Sequence, residues 1–506
     1  MSSYDESYES RIKTENPKFK KFTDELFKQE VIKDTLTLHY TLSNPKSYGI
    51  VDYPITLGEI EDTDSFPALS SFDTQSLSKE QKLTYDILEA NLNLANESKK
   101  YPYYSEPLQP LIGAHINLSI TLSEYKFYSE QDVIDYLGLL DDVDNYLEKI
   151  LAYEKEKARR GLFMNNEILN QVLDELDLLT KDTPLLPTFD ERIKGLDLSK
   201  KQINSYKSQN KELVNQVVIP AYKQLSKELF KLKGFGKNKK GLCYFKNGKS
   251  YYEYLVKMQT GSSKTIPELE RRIYKQLKED ALSLSKTKTP SSLINPKEIL
   301  SDLESKTSKD FPPLQSKIIY EVKEVPKSLQ SIVSPAYYMN APIDKPNQNV
   351  IYINPTKTDN LYTTLAHEGI PGHMYERVYS NQKNRPPIRS LLHWPGYTEG
   401  WAVYSEFYAA GLDKASSSIT MAIYCLSDLY INYEGYDLKQ FKKFITKFFD
   451  LNDEQVKEFY HTMIGRPTNY LEYYVGYLEI LDLHTTPKKI LDIGEAPFWV
   501  IKAQLD

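Results

Sequence analysis

Apolar residues recur at helical spacing along almost the whole chain, and one stretch, residues 317–355, departs from it. A chain patterned this way buries its apolar faces by packing helix on helix, with a small sheet where the rhythm changes. In FKKFTDELFKQEVIKD, Phe19, Phe22, Leu26 and Val31 keep roughly helical spacing. Ser78, three residues before Gln81, has the spacing of a capping box and opens a helix over 78–98. Residues 129–160 read as one long amphipathic helix, with Ser129 before Glu130 at its start and basic residues at its end. Further helical patterns cover 199–231, 266–285, 415–433, 437–449 and 467–484. Pro-bearing joints at 183–187, 289–296 and 311–313 separate the runs. None is a long low-complexity linker and no internal repeat is visible, so residues 1–506 read as one mainly α domain, at most two lobes around a cleft.

The exception contains KIIYEVKEVP (317–326), AYYMNAPI (336–343) and NVIYINP (349–355), rich in Tyr, Ile and Val and bounded by Pro and Asn. These predict three short strands. The last ends just before TLAHEGIPGHMYE, residues 364–376. His367 followed by Glu368 resembles the start of H-E-x-x-H, in which two histidines four residues apart hold one metal. Here the second histidine is His373, six residues on. At about 100° per residue, a straight helix would point those two side chains about 120° apart. The helix is not expected to be straight. Pro371 lacks an amide hydrogen and its ring clashes with the His367 carbonyl, while Gly369 and Gly372 tolerate unusual dihedrals. Two residues looped out between Glu368 and Gly372 would bring His373 back to the usual second-histidine position. The competing reading is a plain turn between two helices.

A third ligand strengthens the metal reading, because catalytic zinc commonly takes two His and one carboxylate. YTEGWAVYSEFYAAG reads as a new helix with Thr398 as N-cap and Glu399 in its first turn. Glu399 ranks ahead of Glu376, which is too near His373 in sequence, and His393, which falls on a loop. Glu399 could instead only complement the helix dipole. Glu406, two turns further along the same face, suits the free N–H of a metal-bound imidazole.

Composition excludes other classes. The chain has 506 residues, 40% hydrophobic and 26% charged, which allows a large core. A net charge of −6 argues against a nucleic-acid partner. No apolar run is long enough to span a bilayer. The first residues, MSSYDESYESRIKTENPKF, lack the apolar core of an export signal; a trimmed chain would read the same. Cys243 and Cys425 match no metal spacing and read as ordinary thiols. The 40 tyrosines suit core and groove-lining positions.

AHEGIPGH, EGWAVYSE and RPTNYLEYYVGYLE, in that order, resemble the bacterial domain-of-unknown-function 885 family (DUF885). The likeness extends upstream to GAHINLSITLSEYKFYSEQDVIDYLGLL and EQKLTYDIL. It implies a large helical fold with a deep central channel, similar to the thimet-oligopeptidase and angiotensin-converting-enzyme group of zinc peptidases. The metal-site half would then span about 317–485, with the sheet beside it. The resemblance makes His367, His373 and Glu399 the zinc ligands and Glu368 the general base. Pro467, Leu471, Tyr473 and Gly476 match the last motif, although PTNY at 467–470 departs from its commoner opening and bears on substrate preference. Many relatives are exported lipoproteins, which implies a cell-surface location. Tyr473 is the first candidate for an oxyanion donor and His461 the second. A peptide substrate could add a strand alongside NVIYINP, and Arg385, Arg389 or Arg466 could hold its carboxylate. The expected function is zinc-dependent hydrolysis of short peptides. The alternatives are a zinc amidase acting on another amide and a non-catalytic peptide-binding protein.

Overall fold

A computed structural model describes residues 15–60, 69–284, 293–331, 333–411 and 414–506. Helices dominate, as the periodicity predicts. Phe19, Leu26 and Val31 are buried on the helix Pro17–Val31, and Ser78 with Gln81 forms the expected capping box on Lys79–Ser98. Of the Pro-bearing joint at 289–296, residues 289–292 lie outside the described residues, as does position 285 of the helix expected there, which runs from Ile266 to Ser283. The joint at 183–187 is itself the start of a helix, Leu185–Arg192, since proline fits the first helical turn.

Two helices depart from the sequence reading. Residues 130–160 form two helices, Glu130–Asp141 and Val143–Arg160. At the break, the Asp142 carboxylate accepts from the Leu57 amide at 2.8 Å and the Thr56 hydroxyl at 3.1 Å, drawn towards an extended segment remote in sequence. Residues 200–231 stay helical but widen to a π turn over Val214–Val218, just before Pro220. The wider turn relieves the clash a proline ring makes with the carbonyl four residues back.

The three strands occur at the expected places with narrower bounds: β1 Tyr320–Glu324, β2 Ala336–Met339 and β3 Asn349–Ile353. The order is β1-β3-β2, with β1 parallel and β2 antiparallel to β3. All of β3 is buried, and it is paired on both sides. The expectation that NVIYINP borders a channel and takes up a peptide strand is therefore corrected, because its backbone groups are already used. The antiparallel edge strand is β2.

Apolar side chains form three large clusters and one small cluster beneath the sheet. Leu242 and Tyr404 pack against the first and third, Ile464 against the second and third, and Ile120 joins the second to the sheet cluster. Cys243 and Cys425 are free thiols, as expected.

The helices Pro395–Ala410 and Asn469–Asp482 cross with almost no side chain between them. A Cβ on Gly400 would lie 2.3 Å from the Gly476 carbonyl carbon, and one on Gly476 2.0 Å from the Gly396 carbonyl oxygen. Overpacking of a core commonly costs about 1–3 kcal/mol, occasionally more, and backbone neighbours cannot rotate away. Gly476→Ala is therefore expected to lower unfolding stability by at least that amount, read by thermal or denaturant melting. A wild-type midpoint would mean that the two helices separate freely.

Candidate metal centre

The helix bearing His367 ends at Glu368, and a second helix starts at His373 and runs to Asn381. Between them the backbone bonds skip two residues. The Gly372 amide donates to the Ala366 carbonyl at 2.9 Å, and the Tyr375 amide to the Gly369 carbonyl at 3.0 Å. Both span six positions where an α-helix spans four, which is the register of a two-residue insertion. Gly372 is required there, since a Cβ would lie 1.8 Å from the His367 carbonyl oxygen. The Trp401 indole N–H clamps the excursion from outside, donating to the Pro371 carbonyl at 2.9 Å. The expected interruption between Gly369 and Gly372 is present, and the two imidazoles stand with ring centroids 4.9 Å apart.

Glu399 meets them from the helix Pro395–Ala410. That helix starts earlier than Thr398, because Pro395 fits its first position, so Thr398 is inside it and Glu399 lies in its second turn. Thr398 does not cap the helix; its hydroxyl donates to Glu495 at 3.1 Å. Glu399 Oε2 is 3.4 Å from His367 Nε2 and 3.6 Å from His373 Nε2. Donor atoms of the three residues all lie within 4.8 Å of one another, and no other such group of three occurs among the described residues. The Glu399 Oε2 atom is buried and has no hydrogen-bond partner. Glu406 Oε2 stands 3.5 Å from His367 Nδ1, the position expected for the partner of the other ring nitrogen.

These residues fit a zinc ion. Two imidazole nitrogens and one carboxylate are its usual catalytic donors, and bonds of about 2.0–2.2 Å in a tetrahedron separate donors by about 3.3 Å. The observed His–Glu separations are close to that spacing, and the orphaned oxygen lies where it would be used. The electrostatics also call for positive charge. Burial opposes an imidazolium at His367, but Glu399 and Glu406 outweigh it and raise its pKa well above the usual value. Burial likewise opposes a Glu399 carboxylate, but His373 and His367 outweigh it and hold the pKa far below normal.

Glu368 sits beside the cluster, its Oε2 accepting from the Tyr338 amide of β2 at 2.9 Å. Burial raises its pKa against the opposing effect of His367 and His373. The Tyr473 ring lies roughly parallel to His367 at 6.2 Å between centroids. Glu399 and then burial raise its pKa well above that of a free phenol, so it keeps its proton. Its helix begins after Thr468, a β-branched residue with φ 69°, whose amide is held by buried Asp428 at 2.8 Å. Tyr470 packs edge-on against Tyr424 and Tyr477 against Phe407, so the other two tyrosines of that stripe are packing residues.

The remaining candidates lie apart from the three-residue cluster. His461 is on the helix Asp453–Gly465; burial lowers its pKa, and its charged neighbours are Glu167 and Lys457. Glu376 takes a 3.4 Å bond from the Tyr397 hydroxyl, and His393 faces Glu495 at 3.7 Å. Arg385 binds the Ser380 hydroxyl and the carbonyls of Leu491 and Asp492, and Arg389 those of Ile493 and Glu495, so both tie down the C-terminal segment. The Arg466 side chain makes no hydrogen bond or ion pair among the described residues, but its charge reaches the Tyr473 phenol. Sequence reasoning missed three participants. Glu472, next to Tyr473, is a half-buried acid whose pKa is raised well above normal by burial and then Glu399. Arg377 follows His373 by four residues, a helical spacing that would have revealed it. The Tyr338 amide is a backbone group and has no side-chain signature.

The model of the family described as bacterial protein of unknown function (DUF885) matches residues 61–289 and 271–496. The solved structure of "the putative lipoprotein from Colwellia psychrerythraea" is similar over 96% of this chain and 97% of that one, with 20% identity and a TM-score of 0.76. A "putative lipoprotein of unknown function from Shewanella oneidensis" is similar over 96% and 99%, with 15% identity and a TM-score of 0.61. At these identities the likeness is one of fold. No curated protein matches the sequence.

Gly372→Ala is expected to displace His373 and to lower both zinc bound per chain and the melting temperature, measured by elemental analysis and thermal unfolding. Full metal content at an unchanged melting temperature would contradict the close contact with His367.

Proposed function

This chain belongs to the DUF885 family of bacterial proteins of unknown function, and from that footing we propose that it is a zinc-dependent hydrolase of peptide bonds. The observation that carries this reading is the convergence of His367, His373 and Glu399 around a buried carboxylate oxygen with no hydrogen-bond partner, next to a second carboxylate at Glu368. A structural metal site has no need of that second carboxylate, whereas a hydrolytic one needs a base.

A zinc ion held by those three side chains would supply Lewis acidity, polarising a carbonyl and making a water acidic enough to ionise near neutral pH. Glu368 would take the proton of the attacking water and pass it to the leaving amine. The Tyr338 amide orients its carboxylate, and burial raises its proton affinity towards that task. Glu406 would hold the His367 ring through Nδ1. Tyr473, which keeps its proton, would donate to the oxyanion that forms on the substrate carbonyl. β2 is the antiparallel edge strand beside Glu368, and an extended peptide would lie along it past the Tyr338 amide, which Glu368 already holds. The same reading includes the zinc-peptidase-like character of the fold and its central channel. The lipoprotein descriptions of both structural relatives support a cell-surface location. Among the described residues no helix is long and apolar enough to cross a membrane.

The test is incubation of zinc-loaded protein with a mixed peptide library and mass spectrometry of the products. New peptide termini are expected, and an unchanged library would refute the reading. Glu368→Gln should retain zinc and lose about 10²–10⁴-fold in turnover, the usual value of a positioned general base. Turnover equal to wild type would place the base elsewhere.

Tyr473→Phe removes one hydroxyl and little else. Loss of one oxyanion donor typically lowers turnover by about 10²–10³-fold, with zinc content and melting temperature nearly unchanged. A variant with wild-type turnover would return Tyr473 to the packing stripe of Tyr470 and Tyr477.

A further inference from the structure

One turn beyond His373 the same helix borders a cavity. It has a volume of about 170 Å³, and its lining includes Glu376, Arg377, Asn381, Arg385, Arg389 and Glu495. Two donors in its wall have no partner. The Arg377 Nε and Asn381 Nδ2 atoms are buried and unbonded, and the rest of the Arg377 guanidinium forms no hydrogen bond or ion pair either. A buried donor without a partner is costly, and native proteins rarely retain one without a ligand or water to fill it. Two such donors in adjacent turns of one helix face call for an acceptor from outside the chain.

The other charged groups are already committed. Arg385 and Arg389 are bound to backbone carbonyls of 491–495. Glu495 accepts from the Trp394 amide at 2.6 Å and the Thr398 hydroxyl at 3.1 Å and faces His393. Glu376 accepts from the Tyr397 hydroxyl at 3.4 Å. The charge of Arg377 acts on Tyr338, Glu376, His393 and Glu495, yet none of them bonds to it. Arg389 also pairs with the Glu80 carboxylate at 3.3 Å, which leaves Arg377 as the guanidinium in the wall without a bonded partner, and a planar acceptor pair matches the fork of an arginine.

We infer that this cavity receives the C-terminal carboxylate of the substrate, held by Arg377 and Asn381. The inference rests on the peptidase reading and narrows its substrate to peptides with a free C-terminus. Its position sets the reach. Four residues of helix rise about 6 Å between His373 and Arg377, and an extended peptide advances about 3.3 Å per residue. A carboxylate anchored there leaves one or two residues between itself and the bond next to Glu368. The enzyme would then remove one or two residues at a time from the C-terminus.

The test compares a labelled alanine tetrapeptide ending in a free carboxylate with its carboxamide twin, in two assays. The first is binding to the Glu368→Gln protein, which does not depend on turnover. The acid is expected to bind about 10- to 100-fold tighter than the amide, the value of charge-assisted hydrogen bonds, and Arg377→Gln in that background should bring the ratio near one. The second is cleavage by wild-type protein, with loss of one or two C-terminal residues expected from the acid. Equal affinity for acid and amide in the wild-type cavity, or a preference retained by Arg377→Gln, overturns the inference; that comparison of ligands needs no altered cavity. Cleavage without acid preference defeats the inference and leaves the peptidase reading standing. Acid preference in binding without cleavage of any peptide supports the inference and defeats the peptidase reading.

Discussion

The candidate metal centre depends on one close approach, that of Gly372 to the carbonyl of His367. In an unbroken helix His367 and His373 would diverge, and no single ion could reach both. Looping out two residues restores the register, and the amide bonds spanning six positions on either side carry the helix direction through the break. The excursion needs a residue without a side chain where it closes, and Gly372 provides it. It also needs a donor for the carbonyl it turns outward, and the Trp401 indole satisfies the one at Pro371. Trp401 lies two residues after Glu399 on the same helix. The side chain that bonds the excursion and the third member of the cluster are therefore carried by one helix.

That helix is placed in turn by a crossing of backbones. Gly396, Gly400 and Gly476 let two helices approach more closely than side chains would allow, which sets Glu399 and Tyr473 against the same imidazole. The start of the Tyr473 helix is fixed separately. Asp428 is fully buried, accepts from Tyr252 and Asn432 and holds the amide of Thr468, so the left-handed turn before the helix has a partner. Contacts deep in two helices thus place both side chains at the site.

Much of this was legible in the sequence because periodicity and glycine placement are local. The strands, most helices and the break at Gly369–Gly372 needed only neighbouring residues to predict. Errors arose where a distant partner decides. Asp142 breaks the helix over 129–160 for the sake of Thr56 and Leu57, which helical periodicity cannot foresee. Thr398 has the chemistry of an N-cap, but Glu495 from the C-terminal segment claims its hydroxyl. β3 looked like a channel edge because it precedes the histidines, and pairing on both flanks is a property of the sheet. His461 is a plausible site histidine by type alone, and its helix turns it towards Glu167. Arg377 is the instructive omission. Its spacing from His373 was visible, but only the cavity shows that its guanidinium lacks a partner.

Four glutamates around the cluster show why residue type alone could not assign roles. Glu399 and Glu368 are both desolvated, and both feel the two histidines. For Glu399 the histidines win, helped by direct contact, and it is held as an anion that suits a metal ligand. For Glu368 burial wins, its remaining support being one backbone amide, and its higher proton affinity suits a group that must take a proton and release it. Glu472 has no contact with either histidine and lies near the charge of Glu399, so burial and repulsion together favour its neutral form. Glu406 faces the far nitrogen of His367, where it can orient the ring without competing for the same side. Separated proton affinities among like groups are the physical basis for dividing ligand from base. Here the separation follows from which carboxylate touches an imidazole and which touches only backbone.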